Sequence, residues 1–164
     1  MAPQVEDQLT TTDLAWHFIR DDRKLRDGTK AEVGVTLHVE PPLVLCSHGL
    51  HWSRRAIDAL QYALRSIVCR VRIGGEVVEV DDKGCSTERT VVWMADATRT
   101  LHEFACWCAE DALDRVERAG GVVDPRSRTA IAVKLQWLDG GATDEELAAA
   151  RNAARNAAGA AAWA

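Results

Sequence analysis

The chain has 164 residues, 47% of them hydrophobic and 27% charged, with a formal net charge of −5. These values suit one compact domain with a helical appendage and exclude global disorder, and no apolar run nears the roughly 20 residues of a membrane helix. The acidic balance argues against a general nucleic-acid binder, which needs a basic surface to neutralise phosphate. Five cysteines, an odd number, follow an N-terminus with no basic start and no apolar h-region. Reduced thiols in a cytoplasm are the expectation.

Residues 1–13 read as a flexible lead-in. Leu14 to Ile19 is a short apolar run with His17 in its middle, and it predicts a buried strand. The charged stretch Arg20 to Lys30 contains Asp27-Gly28, a tight-turn signal. Val33, Val35, Leu37 and Val39 alternate at strand period until Pro41-Pro42, after which Leu43 to Cys46 predicts another strand. Ser53 is the expected N-cap of a helix over 54–64, with Ile57, Leu60 and Leu64 on one face. Ile67, Cys69, Val71 and Ile73 alternate with Arg70 and Arg72, the pattern of a half-buried strand. Gly74-Gly75 reads as a turn, 76–80 as its hairpin partner, and 90–94 as one more strand.

From about residue 97 the pattern turns helical. Leu101, Ala105, Cys108, Ala112 and Val116 recur at helical spacing and Gly120-Gly121 ends the run. Asp124-Pro125 restarts a helix, with Asp as N-cap and Pro at the first position. Ile131, Leu135 and Leu138 give that helix its face, and Gly140-Gly141 closes it. Thr143 to Glu146 forms a capping box for a last helix, nearly all alanine, that ends near Trp163. Alanine favours helix but offers little area to bury, so this helix forms easily and docks weakly. The fold class is therefore α+β: a small mixed or antiparallel sheet with one embedded helix over 14–96, then about three helices over 97–164 packed on it.

The strand Val33 to Val39, the segment LVLCSHGLH, the helix from Ile57 to Tyr62, the Val68 to Val78 hairpin, Asp82-Lys83 and Trp93 to Thr98 carry a family resemblance. Over about 25–117 the chain resembles an uncharacterised family of small proteins found in bacteriophages and prophages. The stretch from Asp124 to Ala157 resembles the helical tail of proteins described as immunity proteins. A more distant likeness is to ADP-ribosyltransferase-like domains. His17-Phe18, then Gly49 to Ser53 with Ala59 and Tyr62, then Glu88 before a strand, follow that family's order. The likeness implies an NAD pocket in which His17 bonds a ribose hydroxyl. Trp52, Ser53, Arg54 and Tyr62 contact the cofactor, with Arg54 and Arg55 meeting pyrophosphate, and Glu88 is the catalytic carboxylate. Ser86 stands where arginine-modifying members carry a second Glu.

Cys46, His48 and His51, with His38 as a fourth, have the residue types of a zinc site, but the spacing matches no strong zinc signature and a second Cys/His pair is missing. No metal is therefore expected. Cys106 and Cys108 lie two apart on a helix and face different ways, which argues against a redox pair. Trp107 falls off the apolar stripe of its helix, and with Trp163 it suggests a partner surface. Two functions follow. One is a non-catalytic phage accessory protein without cofactor, which works in the host cytoplasm by binding another protein, such as a host defence component, through its helical tail and exposed tryptophans. A homodimer through the last helix belongs to that reading. The alternative is an NAD-dependent ADP-ribosyltransferase-like enzyme using His17, Tyr62 and Glu88.

Overall fold

A computed structural model describes residues 13–161, and side chains through 159. The expected lead-in and Trp163 thus lie outside the described residues, apart from Asp13. The chain divides into two compact units between Ala97 and Thr98.

Among the described residues the first unit holds five strands and one helix: β1 (Leu14–Ile19), β2 (Thr36–His38), β3 (Leu50–Trp52), α1 (Ala56–Gln61), β4 (Ile67–Glu79) and β5 (Gly84–Asp96). All named strand pairings are antiparallel. The long pair β4–β5 is the spine. β1 adds to the free edge of β4, while β2 and β3 share the other edge of β5 end to end. A bridge between Trp16 and Ser53, with N···O distances of 2.8 and 2.9 Å, brings the end of β3 back to β1. The path β1–β4–β5–β3 therefore returns on itself. Its interior is filled by Ala15, Ile19, Ala31, Trp52, Cys69, Val71 and Val91. Strand alternation explains the set, since Cys69 and Val71 are buried at period two and Ala15 pairs in register with Val71.

Several local expectations change here. The run over 33–39 is extended only at 36–38, because Gly34 takes φ +82° and gives its N–H to the Val91 carbonyl. Residues 43–46 form a turn instead of a strand: Val44 and His48 bond to each other and Cys46 sits at φ +66°. Ser53 does not cap the helix. Its backbone is committed to Trp16, and α1 starts later, behind Arg55, without a side-chain cap. The helix also buries Asp58 and Ala59, leaving Ile57 and Leu64 exposed. Gly74-Gly75 does not reverse the chain. The strand runs through it as a bulge, with Gly75 at φ +68° and Thr87 Oγ1 accepting the Glu76 N–H, and the reversal comes at 80–83.

The second unit is three helices: α2 (Thr98–Arg118), α3 (Pro125–Leu138) and α4 (Asp144–Ala161). Asp124 caps α3 through the Arg126 N–H at 2.9 Å. Thr143 and Glu146 bond reciprocally at 3.2 and 2.8 Å, the expected capping box. α3 packs on α4 and on α2, and Ile131, Leu147 and Ala157 are buried. The buried cysteine of α2 is Cys106, not Cys108, so the stripe is rotated from the expected one.

Candidate functional site

The site grows from the point where β3 returns to β1. Gly49, at φ +135°, lies against Cys85, whose Cβ would stand 2.8 Å from any side chain placed there. That close approach swings the chain from the Val44–His48 turn into β3 and delivers His51, Trp52 and Ser53 in succession. Trp52 is buried across Gly84, and its indole N–H donates to Ser86 Oγ at 3.2 Å. On the neighbouring strands, β1 presents His17 and β5 presents Arg89.

These elements enclose a cavity of about 410 Å³, the size class of a small-molecule site. Its charge is the notable property. Among the described residues, Arg20, Lys24, Arg26, Lys83 and Arg89 line it, with His17, His48 and His51, against the single carboxylate of Asp27. An acidic chain has gathered cations around one hollow. Asp27 is already engaged with the Thr29 N–H at 2.9 Å, which holds its carboxyl below the usual range.

Arg89 is the centre of this field. It is 2% exposed, and no carboxylate among the described residues pairs with it. One guanidinium nitrogen donates to the His51 carbonyl, while Nε has no partner. Burial pushes this guanidinium down to about 10, so it remains cationic at neutral pH. A buried charge normally has a counter-charge, because desolvating an ion alone is costly. Burial, then Arg89, then His51 push His17 well below its ordinary value. Burial is also the main cause for His51, followed by Arg89, Arg26 and Lys83. Both imidazoles are therefore neutral at pH 7. His51 Nε2 accepts the Cys46 amide N–H at 2.9 Å, which places the ring proton on Nδ1, facing the Gly49 backbone.

Of the residues expected to form an NAD site, His17, Trp52, Ser53 and Tyr62 all line this cavity. Arg54 and Glu88 do not. Arg54 lies over the Trp52 ring at 4.7 Å and is clamped by Glu79 at 2.8 and 3.0 Å. Glu88 stands opposite His38 on β2, 3.7 Å from its Nδ1, with Gly74 on its other side. It adjoins Arg89 in the strand, and alternation sends the two side chains to opposite faces. The catalytic carboxylate expected near His17 is thus replaced by a cation. Tyr62 donates to Asp82, and Lys83 sits 4.9 Å from the Tyr62 ring.

Arg89 was missed in the sequence. The available signal was phase: it lies two residues from the buried Val91, on the inward face of the same strand. The zinc-like residues are also distributed otherwise than a metal needs. His48 Nε2 meets the Glu40 carbonyl at 2.6 Å and His51 Nε2 meets Cys46 N–H. Among the described residues no three His, Cys, Asp or Glu are grouped to hold an ion. No helix among them is long and apolar enough to cross a membrane.

No curated protein and no solved structure matches the chain. A family model described as a domain of unknown function (DUF7666) matches residues 14–103. This span begins earlier and ends earlier than the expected 25–117. The match carries no bacteriophage, immunity-protein or ADP-ribosyltransferase assignment. It starts at β1, ends within α2 and contains every residue that lines the cavity. Because it covers more than half of the sequence, the chain belongs to the DUF7666 family.

Proposed function

We propose that the β-rich unit is a binding module for a small anionic ligand. The observation that carries this reading is Arg89, a buried cation that no carboxylate among the described residues meets, in a cavity these residues line with five cations and one acid. An anion entering there supplies the missing counter-charge inside a low-dielectric wall, where a charge-assisted hydrogen bond is strongest. NAD is one such anion, and His17, Trp52, Ser53 and Tyr62 line the cavity it would enter. The transferase step is a different matter, since Glu88 faces away from them. Binding without ribosyl transfer is the better-supported activity.

Calorimetric titration tests this reading with phenyl phosphate, NAD and uncharged phenol, for wild type beside Arg89→Met. Saturable binding of an anion that is lost in the variant is expected. Equal binding of phenol, or no heat with either anion at millimolar concentration, overturns it.

A second reading concerns the helical unit, and a specific observation favours it. Trp107 is 61% exposed on α2 and stacks on Phe104, also exposed, with ring centroids 6.1 Å apart and planes at 17°. A rigid exposed aromatic pair is the usual anchor of a protein interface. In this reading the chain binds a protein of a bacterial host cytoplasm, as its bacteriophage resemblance implies. A homodimer through α4 is the self-association form of the same idea. Analytical ultracentrifugation of the chain truncated after Gly141 should then show a folded monomer, and an unchanged oligomer refutes the α4 dimer.

A further inference from the structure

This inference rests on the anion-site reading and adds ligand class and regulation to it. We propose that the anion is a phosphate monoester dianion seated against Arg89, and that His17 takes up a proton when it binds.

The geometry is three-sided. His17 comes from β1, His51 from β3 and Arg89 from β5, and the Trp16–Ser53 bridge gathers these strands round one cavity. The other charged or titratable groups facing this space are few. Arg20, Lys24, Arg26 and Asp27 come from the segment after β1, and Cys46 and His48 from the turn before β3. Tyr62 follows α1 and Lys83 precedes β5. Cys69 of β4 stands in register with His17, and burial raises its thiol to about 11, so it brings no charge.

Of the three histidines in the cavity, His17 is the one whose ring is uncommitted. His51 is held at Cys46 and Gly49, and His48 at the Glu40 carbonyl. The His17 imidazole has no hydrogen-bond partner among the described residues. In the protein alone, burial and then the charge of Arg89 keep it neutral. A dianion carries one charge more than Arg89 neutralises, since water screens the exposed Arg20, Lys24 and Arg26 and Lys83 is engaged with Cys46 and Tyr62. That second charge reverses the local field at His17 and stabilises an imidazolium, which then donates to a phosphate oxygen. The proton comes from solvent. No bond to phosphorus forms or breaks. A monoanion of the same shape satisfies Arg89 but leaves His17 neutral, so the site distinguishes phosphate from sulfate esters by charge.

Thermodynamic linkage makes this measurable in the full chain without any variant. Phenyl phosphate is titrated calorimetrically in two buffers of different ionisation heat, between about pH 7 and about pH 8.5, where the monoester is a dianion. Phenyl sulfate is the singly charged control. Uptake of close to one proton with phenyl phosphate is expected, and affinity should weaken by nearly tenfold per pH unit. Phenyl sulfate should bind more weakly, without proton uptake and with little pH dependence. In His17→Gln the phosphate ester should still bind, with its pH dependence flattened. NMR of the wild-type His17 ring should show protonation on titration with the phosphate ester, which keeps the test open if the variant does not fold. Binding without proton uptake overturns this inference and leaves the anion site standing. Equal proton uptake with phenyl sulfate overturns the ligand class. Uptake that persists in His17→Gln overturns the assignment of the proton to His17. No saturable binding of either ester overturns both the inference and the reading beneath it.

Discussion

The two units of this chain use their polar residues in opposite ways. In the helical unit most charged groups satisfy local needs, and the buried Lys134 lies over the Trp137 ring at 3.7 Å. Asp124 and Thr143 cap helices, Arg99 pairs with Glu103 one turn away at 2.8 Å, and Arg115 pairs with Asp111 at 2.7 Å. In the β-rich unit, buried Arg89 and half-buried His17 meet at one cavity from strands far apart in sequence, and no carboxylate among the described residues offsets Arg89. The comparison teaches where function lies. Polar groups that close their own ends stabilise a scaffold, whereas polar groups buried without partners are held for something else.

The comparison can be broken most forcefully at Trp52. Trp52→Ala removes an indole that spans Gly84 and bonds Ser86, and it should cost the β-rich unit about 3–5 kcal/mol. Denaturant unfolding followed by circular dichroism should show the helical signal surviving; joint loss of both would show the units do not behave separately. Next in size is Arg89→Met, expected to weaken anion binding by about 10- to 100-fold, the loss of a charged hydrogen bond. Its melting temperature should hardly fall, because replacing a buried unpaired ion with an apolar chain removes a desolvation cost. A variant that binds as tightly as wild type would remove Arg89 from the site.

Acid should separate the units further. Folded His17 and His51 are held below their ordinary 6.5, so below that pH the unfolded chain binds more protons than the folded one. Stability of the β-rich unit should therefore fall as pH drops below about 6.5, by up to about 1.4 kcal/mol per pH unit for each imidazole that stays neutral in the folded chain, and show no slope from these groups above it. The helical unit has a lower window: Asp124 is held down to about 2 by Arg126, so its contribution is lost only as pH falls below about 4. Urea midpoints measured across pH decide this, with His17→Gln expected to flatten the slope. The smallest effect tests the scaffold side. Thr143→Ala should cost about 1 kcal/mol and leave anion binding unchanged; altered binding would contradict a purely local role.

The same contrast governs how much was legible in advance. α3 and α4 begin at their expected caps, and α2 and α3 end before their expected glycine pairs, because those signals act within four residues. In the β-rich part, β1 and the 90–94 segment are found, while Gly74-Gly75 and 43–46 differ. Two glycines can turn a chain or bulge a strand. Which occurs depends on the partner, here Thr87 on β5 meeting Glu76. The candidate site was half legible for the same reason. His17, Trp52, Ser53 and Tyr62 converge as expected, but Glu88 and Arg54 do not join them. For Glu88 the cause is strand phase, and for Arg54 it is the claim of Glu79.

The sequence by itself determined the α+β class and the caps of α3 and α4, since composition and caps act over a few residues. Tertiary structure alone decided that Arg89, rather than Glu88, looks into the cavity. A one-residue step in a strand exchanges its faces, and only pairing with β2, β3 and β4 sets which face is inside.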